Sequence, residues 1–245
     1  MNYMKKYYDI KDIKQTLKPE DAFVTVYLVD PIAVRFLHIL ANYTKITPNQ
    51  ISLLAFVFGV ISALLFYLGH FWIGAISYYL SFLFDCMDGK LARLKKISSD
   101  VGFFYDASTL THAYVLSAIA LHFLFVEQNK LVVGLIGGLF LIQLQKSAMT
   151  IALKSVIPTL GSVYGRYENS LKNSGKLGLL IRIYSKSFGR SKLIPTEIDL
   201  EFFTIISFAY GCKKISILLL ALWLLYEFMF VLVQFFISVN IIKRR

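Results

Sequence analysis

Charge is what this chain has least of. Only 17% of its 245 residues are charged, against 57% hydrophobic. A soluble domain of this size needs more charged surface than that, so the composition predicts a membrane protein crossing the bilayer several times. Cysteine is nearly absent, with only Cys86 and Cys212. That excludes a disulfide framework and a cysteine-based zinc site, and the expected topology puts the two thiols near opposite membrane faces. The N-terminal "MNYMKKYYDIKDIKQTLKPEDAF" lacks an apolar core of the signal-peptide kind. Insertion is expected to begin with the first true membrane helix.

The charge that is present is mostly positive, +11 net. Nucleic-acid binding is disfavoured, because the basic residues flank apolar runs and form no single stripe. Membrane proteins gather Lys and Arg in cytoplasmic loops and at anionic lipid surfaces. A membrane-crossing helix needs about 20 largely apolar residues. Six stretches are candidates: about 49–69, 71–94, 101–126, 130–154, 198–212 (extended backward to reach spanning length) and 214–242. With a cytoplasmic N-terminus, only Lys130, Lys213 and Lys214 of the 26 Lys and Arg fall on the outer side, with Lys146 inside the fourth helix. Both termini are therefore expected in the cytoplasm. The expected fold class is an all-α integral membrane protein of six transmembrane helices, with residues 47–245 as the membrane domain. Residues 1–46 form an N-terminal segment at the cytoplasmic face.

Two segments read as amphipathic and interfacial. One is about 10–42. The other is about 170–190, where Leu177, Leu180, Ile181, Tyr184 and Phe188 share a helical face opposite Arg182, Lys186 and Arg190. Before the first span, "TPN" offers Thr47 as a helix cap and Pro48 at the first helical position, with Asn49 placed to reach a site. Gly134, Gly137 and Gly138 suit close packing of the fourth helix. Glu227 in the sixth helix requires a partner or a wet cavity.

The stretch "FDCMDGKLARLKKISSDVGFFYDASTLTHAY", residues 84–114, concentrates acids at the end of the second span. Carboxylates at membrane depth are expensive and point to function. Asp85 and Asp88 are three apart, so both carboxylates address one object. Gly89 clears a side chain beside them. Arg93 supplies a planar, always-charged fork suited to phosphate, and Lys90, Lys95 and Lys96 add positive potential. The short "KKISSD" junction predicts antiparallel packing of the second and third helices, bringing Asp106 to the pair. Three close carboxylates repel unless a cation neutralises them, and hard oxygen ligands suit Mg²⁺, Mn²⁺ or Ca²⁺. The stretch therefore reads as a metal–phosphate site. A plain cation pathway, the transporter alternative, has no need of Arg93.

This stretch resembles the signature of the CDP-alcohol phosphotransferases, D-x2-D-G-x2-A-R-x8-G-x3-D-x3-D. Asp85, Asp88, Gly89, Ala92, Arg93, Gly102 and Asp106 match it in identity and spacing. The resemblance covers roughly residues 45 to 242. It implies a membrane enzyme that transfers a phospho-alcohol group, such as phosphatidyl, from a CDP-linked alcohol to a hydroxyl acceptor and releases CMP. Asp85, Asp88 and Asp106 would hold Mg²⁺ or Mn²⁺ against the pyrophosphate. Gly89, Ala92, Arg93 and Asn49 would line the nucleotide side. Lys146 and Arg166 are candidates for an acceptor phosphate. A homodimer is also implied.

The departure is at Leu110, where the pattern has its fourth aspartate, the group assigned as base for the acceptor hydroxyl. Leucine neither binds metal nor accepts a proton. Thr109 faces the same side as Asp106 and can orient an acceptor, but is no base near neutral pH. His112 titrates in the right range but points about 120° away. Asp100 requires the preceding loop to fold back. The alternative reading is a relative that binds CDP-alcohol or lipid without turnover.

Overall fold

A computed structural model describes residues 7–96, 107–156 and 187–243. Described helices are α1 (Ile10–Lys14), α2 (Asp30–Tyr43), α3 (Pro48–Tyr67), α4 (Phe71–Lys95), α5 (Ala107–Phe125), α6 (Lys130–Val156), α7 (Glu197–Ala209) and α8 (Lys213–Lys243). A π-helical turn, Thr25–Val29, leads into α2, and a two-residue hairpin pairs β1 (Ser187–Phe188) with β2 (Ser191–Lys192). All six expected membrane helices are thus present as helices. Among the described residues, two are long and apolar enough to cross a bilayer by themselves: α3, and α8 over Lys213–Leu232. The described parts of α5 and α6 carry the apolar stretches Ala113–Phe125 and Lys130–Gln145.

Local chemistry explains the helix starts. Thr47 caps α3 as expected: its side chain accepts from the Gln50 amide, Gln50 reaches back to the Thr47 amide, and Pro48 opens the helix. Thr196 does the same for α7 with Asp199. That cap fixes the start of α7 at Glu197 and corrects the backward extension expected for the fifth span. With 13 residues, α7 is about 20 Å long.

The antiparallel pair α3–α4 forms the spine. It is stitched by hydroxyl-to-carbonyl bonds at successive turns: Ser62 to Gly74 (2.8 Å), Ser77 to Phe58 (2.8 Å) and Ser81 to Ala55 (2.7 Å). Serine suits this seam because it lets backbones approach and still satisfies its own polar group. The ring of Phe66 lies 3.0 Å from where a Cβ on Gly74 would sit, so the seam closes tightly there. Among the described residues, α5 packs chiefly along α3 and also touches α4. The turn between α3 and α4 is held by buried His122 of α5, whose Nδ1 lies 2.9 Å from the Tyr67 carbonyl.

Helix α7 lies antiparallel against α4. Trp72 meets Tyr210 at one end, and at the other the Tyr78 hydroxyl donates to buried Glu201 (2.7 Å). The free thiols Cys86 and Cys212 consequently sit at opposite ends of the bundle. Helix α8 packs on α6 and α7 and buries Trp223 and Glu227. Of the three glycines expected to admit a neighbouring helix, Gly138 does so among the described residues, with Leu224 of α8 3.3 Å from its would-be Cβ. Nothing among the described residues lies within 4 Å of a would-be Cβ at Gly134 or Gly137.

The N-terminal segment lies against the bundle. Helix α2 buries Ala33, Val34, Leu37 and Ala41 and exposes Ile32, Phe36, Ile39 and Tyr43 on its other side. Buried Asp199 ties this segment to the start of α7: its carboxylate accepts from the Val24 amide (2.8 Å), the Thr196 amide (2.8 Å) and the Thr196 hydroxyl (2.9 Å). The second amphipathic segment falls largely outside the described residues. Its last part, 187–190, is strand and turn rather than helix, since Gly189 takes φ +60 and reverses the chain. Asp199→Ala leaves three donors at a buried site without their acceptor and is expected to destabilise the protein by about 2–4 kcal/mol. Thermal unfolding in detergent checks this; an unshifted midpoint refutes it.

Candidate functional site

Helix α4 carries the site. Its last three turns hold Asp85, Asp88, Gly89, Ala92 and Arg93 before Lys96 ends the helix in the left-handed conformation (φ 54). Asp85 and Asp88 are half-buried on one helical face, and Tyr78 extends that face two turns deeper. The Asp88 carboxylate accepts from the Ser52 hydroxyl at 2.5 Å, a short charge-assisted bond. Ser52 is the next step of the serine seam that joins α3 to α4. It shares a face with Asn49, which is exposed in the first turn of α3. Sequence reasoning placed Asn49 near the site and missed Ser52. The signal was available, since Ser52 lies one turn beyond Pro48 on a helix whose cap was legible.

Gly89 leaves open space. Among the described residues, a Cβ built there meets one group within 4 Å, the Arg93 Nη1 at 3.5 Å. The guanidinium thus folds back over Gly89, while its Nε donates to the Thr16 carbonyl of the N-terminal segment at 2.9 Å. Arg93 itself is exposed. An open backbone surface, bordered by a cation and lying beside two carboxylates, suits an anionic ligand carrying its own metal.

Of the three lysines expected to add positive potential, Lys90 departs from the expectation. Lys90 adds no free positive potential: it is buried on another face of α4, 3.1 Å from Asp30 Oδ1, and donates to the Cys86 carbonyl at 2.8 Å. Asp30 also receives Arg190 at 2.7 Å. Lys95 donates to the Ile46 carbonyl at 2.8 Å, fastening the end of α4 to the chain just before α3. Position 90 is two residues from Asp88, so it points away from the acidic face.

Several expected site residues lie beyond this geometry. Gly102, Asp106 and Arg166 are outside the described residues. Thr109 and Leu110 lie in the first turn of α5, and Lys146 lies in α6, on described backbone. Among the described residues no three His, Cys, Asp or Glu side chains form a metal-binding group. Asp85 and Asp88 contribute hard oxygen donors on one face, which fits a hard divalent cation in chemistry.

The sequence matches the profile of the CDP-alcohol phosphatidyltransferases over residues 45–172, a span that includes α3, α4, α5 and α6. The chain belongs to the CDP-alcohol phosphatidyltransferase family. Membership makes it a membrane protein and implies transfer of a phospho-alcohol group from a CDP-alcohol. The chain is also 37% identical over 87 residues to the bifunctional IPC transferase and DIPP synthase of Thermococcus kodakarensis. That match covers 36% of this chain and 19% of the archaeal protein, so the chain aligns with less than a quarter of that relative's length.

In this family context Gly89 offers a clean test. Alanine is favoured over glycine inside a helix by about 1 kcal/mol, and among the described residues the new methyl meets only Arg93, at ordinary contact distance. Gly89→Ala is expected to fold as well as the wild type or better, yet to bind CDP at least about tenfold more weakly, because the methyl fills the open surface. Calorimetric titration with CDP and Mg²⁺ reads the outcome. Unchanged affinity refutes the assignment of that surface.

Proposed function

We propose that this protein is a metal-dependent membrane phosphotransferase. It transfers a phospho-alcohol group, such as phosphatidyl, from a CDP-alcohol to a hydroxyl acceptor with release of CMP, in phospholipid or polar-lipid synthesis. The observation that carries this reading is the end of α4: Asp85 and Asp88 on one face, beside the open surface of Gly89 bordered by Arg93. Family membership supports it.

In this reading the chain crosses the membrane six times, with both termini and the site in the cytoplasm and residues 1–46 at that face. Asp85, Asp88 and Asp106 hold Mg²⁺ or Mn²⁺, and members of the family generally use such a metal. The bound metal supplies positive charge against the pyrophosphate. Gly89, Ala92, Arg93 and Asn49 receive the nucleotide side of the donor. Ser52 holds the Asp88 carboxylate in place by its short hydrogen bond. Thr109 orients the acceptor hydroxyl, and Lys146 with Arg166 binds an acceptor that carries phosphate. The acceptor oxygen bonds to the phosphorus bearing the alcohol, the bond from that phosphorus to the CMP oxygen breaks, and the acceptor's proton is released.

Membranes containing the protein are expected to release CMP from a CDP-alcohol when Mg²⁺ or Mn²⁺ is added, and an Asp85→Ala variant is expected to release none. Wild-type protein that stays at the Asp85→Ala level across broad acceptor pools refutes the enzyme.

Leu110 favours a second reading, a relative that binds CDP-alcohol or lipid without turnover. General-base assistance contributes about 10²–10⁴ in rate, and leucine gives none. Leu110→Asp separates the two. A gain of about that size in CMP release shows that the missing base limits an otherwise working site. Robust wild-type turnover eliminates the binding-only reading.

A further inference from the structure

We propose that Asp30 and Arg190 are positioning residues for Arg93, acting through a strap formed by residues 16–30. The inference rests on the reading of Arg93 as a nucleotide ligand. Both ends of the strap meet the same turn of α4. At one end, the Thr16 carbonyl accepts from Arg93 Nε at 2.9 Å. At the other, Asp30 lies 3.1 Å from Lys90 Nζ, three residues before Arg93 on α4.

The strap is tied from outside as well. Arg190 donates to Asp30 at 2.7 Å and through Nε to the Lys18 carbonyl at 3.1 Å. The Asp21 amide donates to the Arg190 carbonyl at 2.9 Å, and the Lys192 amide donates to the Asp21 carbonyl at 3.1 Å. The hairpin thus holds the strap at Lys18, Asp21 and Asp30. Thr16 is fixed in turn, because its hydroxyl and amide both donate to the Ile13 carbonyl at 2.7 and 3.0 Å.

Energetics favour a positional role over a purely stabilising one. The Asp30 and Lys90 side chains are 3% and 6% exposed, and the Arg190 guanidinium is drawn in beside them. Two cations sharing one buried carboxylate carry a desolvation penalty that their attraction only partly offsets, so apolar residues of similar volume would hold the segments together as well. What the ionic arrangement adds is direction. A surface arginine otherwise samples many rotamers. Here a carbonyl on a fixed strap holds the guanidinium over Gly89, ready for its ligand. Thr16, Asp30 and Arg190 all lie outside the span matched by the family, 45–172.

The test is a double-mutant cycle read by calorimetric titration of CDP, with Mg²⁺, into the purified full-length protein. Arg93→Gln is expected to weaken binding about tenfold or more. Arg190→Gln is the working variant. Its side chain is 33% exposed, and its loss leaves the buried Lys90–Asp30 pair intact. It is expected to weaken CDP binding about three- to tenfold in the wild-type background and not at all in the Arg93→Gln background. Asp30→Asn is expected to follow the same pattern where it folds. A merely structural role gives equal losses in both backgrounds, and that result overturns the proposal, as does an Arg190→Gln protein that binds like wild type. If Arg93→Gln weakens binding and Arg190→Gln does not, the strap alone is wrong. Wild-type protein that binds no CDP takes down the nucleotide reading as well.

Discussion

The register between α3 and α4 is the constraint on which the site depends. Two helices in a hydrocarbon phase gain little from hiding apolar surface from each other, so close packing and interhelical hydrogen bonds must set their alignment. Three serine hydroxyls bonded to carbonyls across the seam do so here. A slip of one turn would exchange every serine partner and carry Ser52 away from Asp88. The hydroxyl on the acidic face is thus set by small residues deep in the bundle.

A second layer of order comes from carboxylates that serve structure. Asp199 gathers three donors at the start of α7, Asp30 gathers two cations beside α4, and Glu201 accepts from Tyr78 between α4 and α7. Each joins segments distant in sequence. The buried acids of this chain therefore divide by environment. Those tied to amides and cations organise the frame, while Asp85 and Asp88 stay half-exposed on the face beside Gly89.

Much of this was legible in the sequence, for identifiable reasons. The helices follow from long apolar runs, the start of α3 from Thr47 and Pro48, and the acidic face from fixed spacings within one helix. All are local signals. What was not legible is long-range. Nothing in the sequence near Lys90 announces that its charge is cancelled by a residue 60 positions away, or that the same carboxylate receives Arg190. The short α7 was misjudged because spanning length was weighed above a capping box. Composition alone does not say which glycine of α6 meets a neighbour; among the described residues it is Gly138, against Leu224 of α8. The apolar stripe ending at Phe188 looked helical through its last residues, yet the glycine after it turns the chain into a hairpin.

The strap also bears on what counts as the minimal unit of this fold. The span shared with the family begins after Asp30 and stops before Arg190. A chain trimmed to that span would keep every acid and glycine of the signature, but Lys90 would stand as a buried cation without its counter-charge and Arg93 would lose its carbonyl partner. Recombining this segment with the flanks of a relative meets the same obstacle, unless positions 30, 90 and 190 travel together. The signature in this protein is portable as a pattern of letters, while its working geometry is held by pieces of chain at some distance on either side.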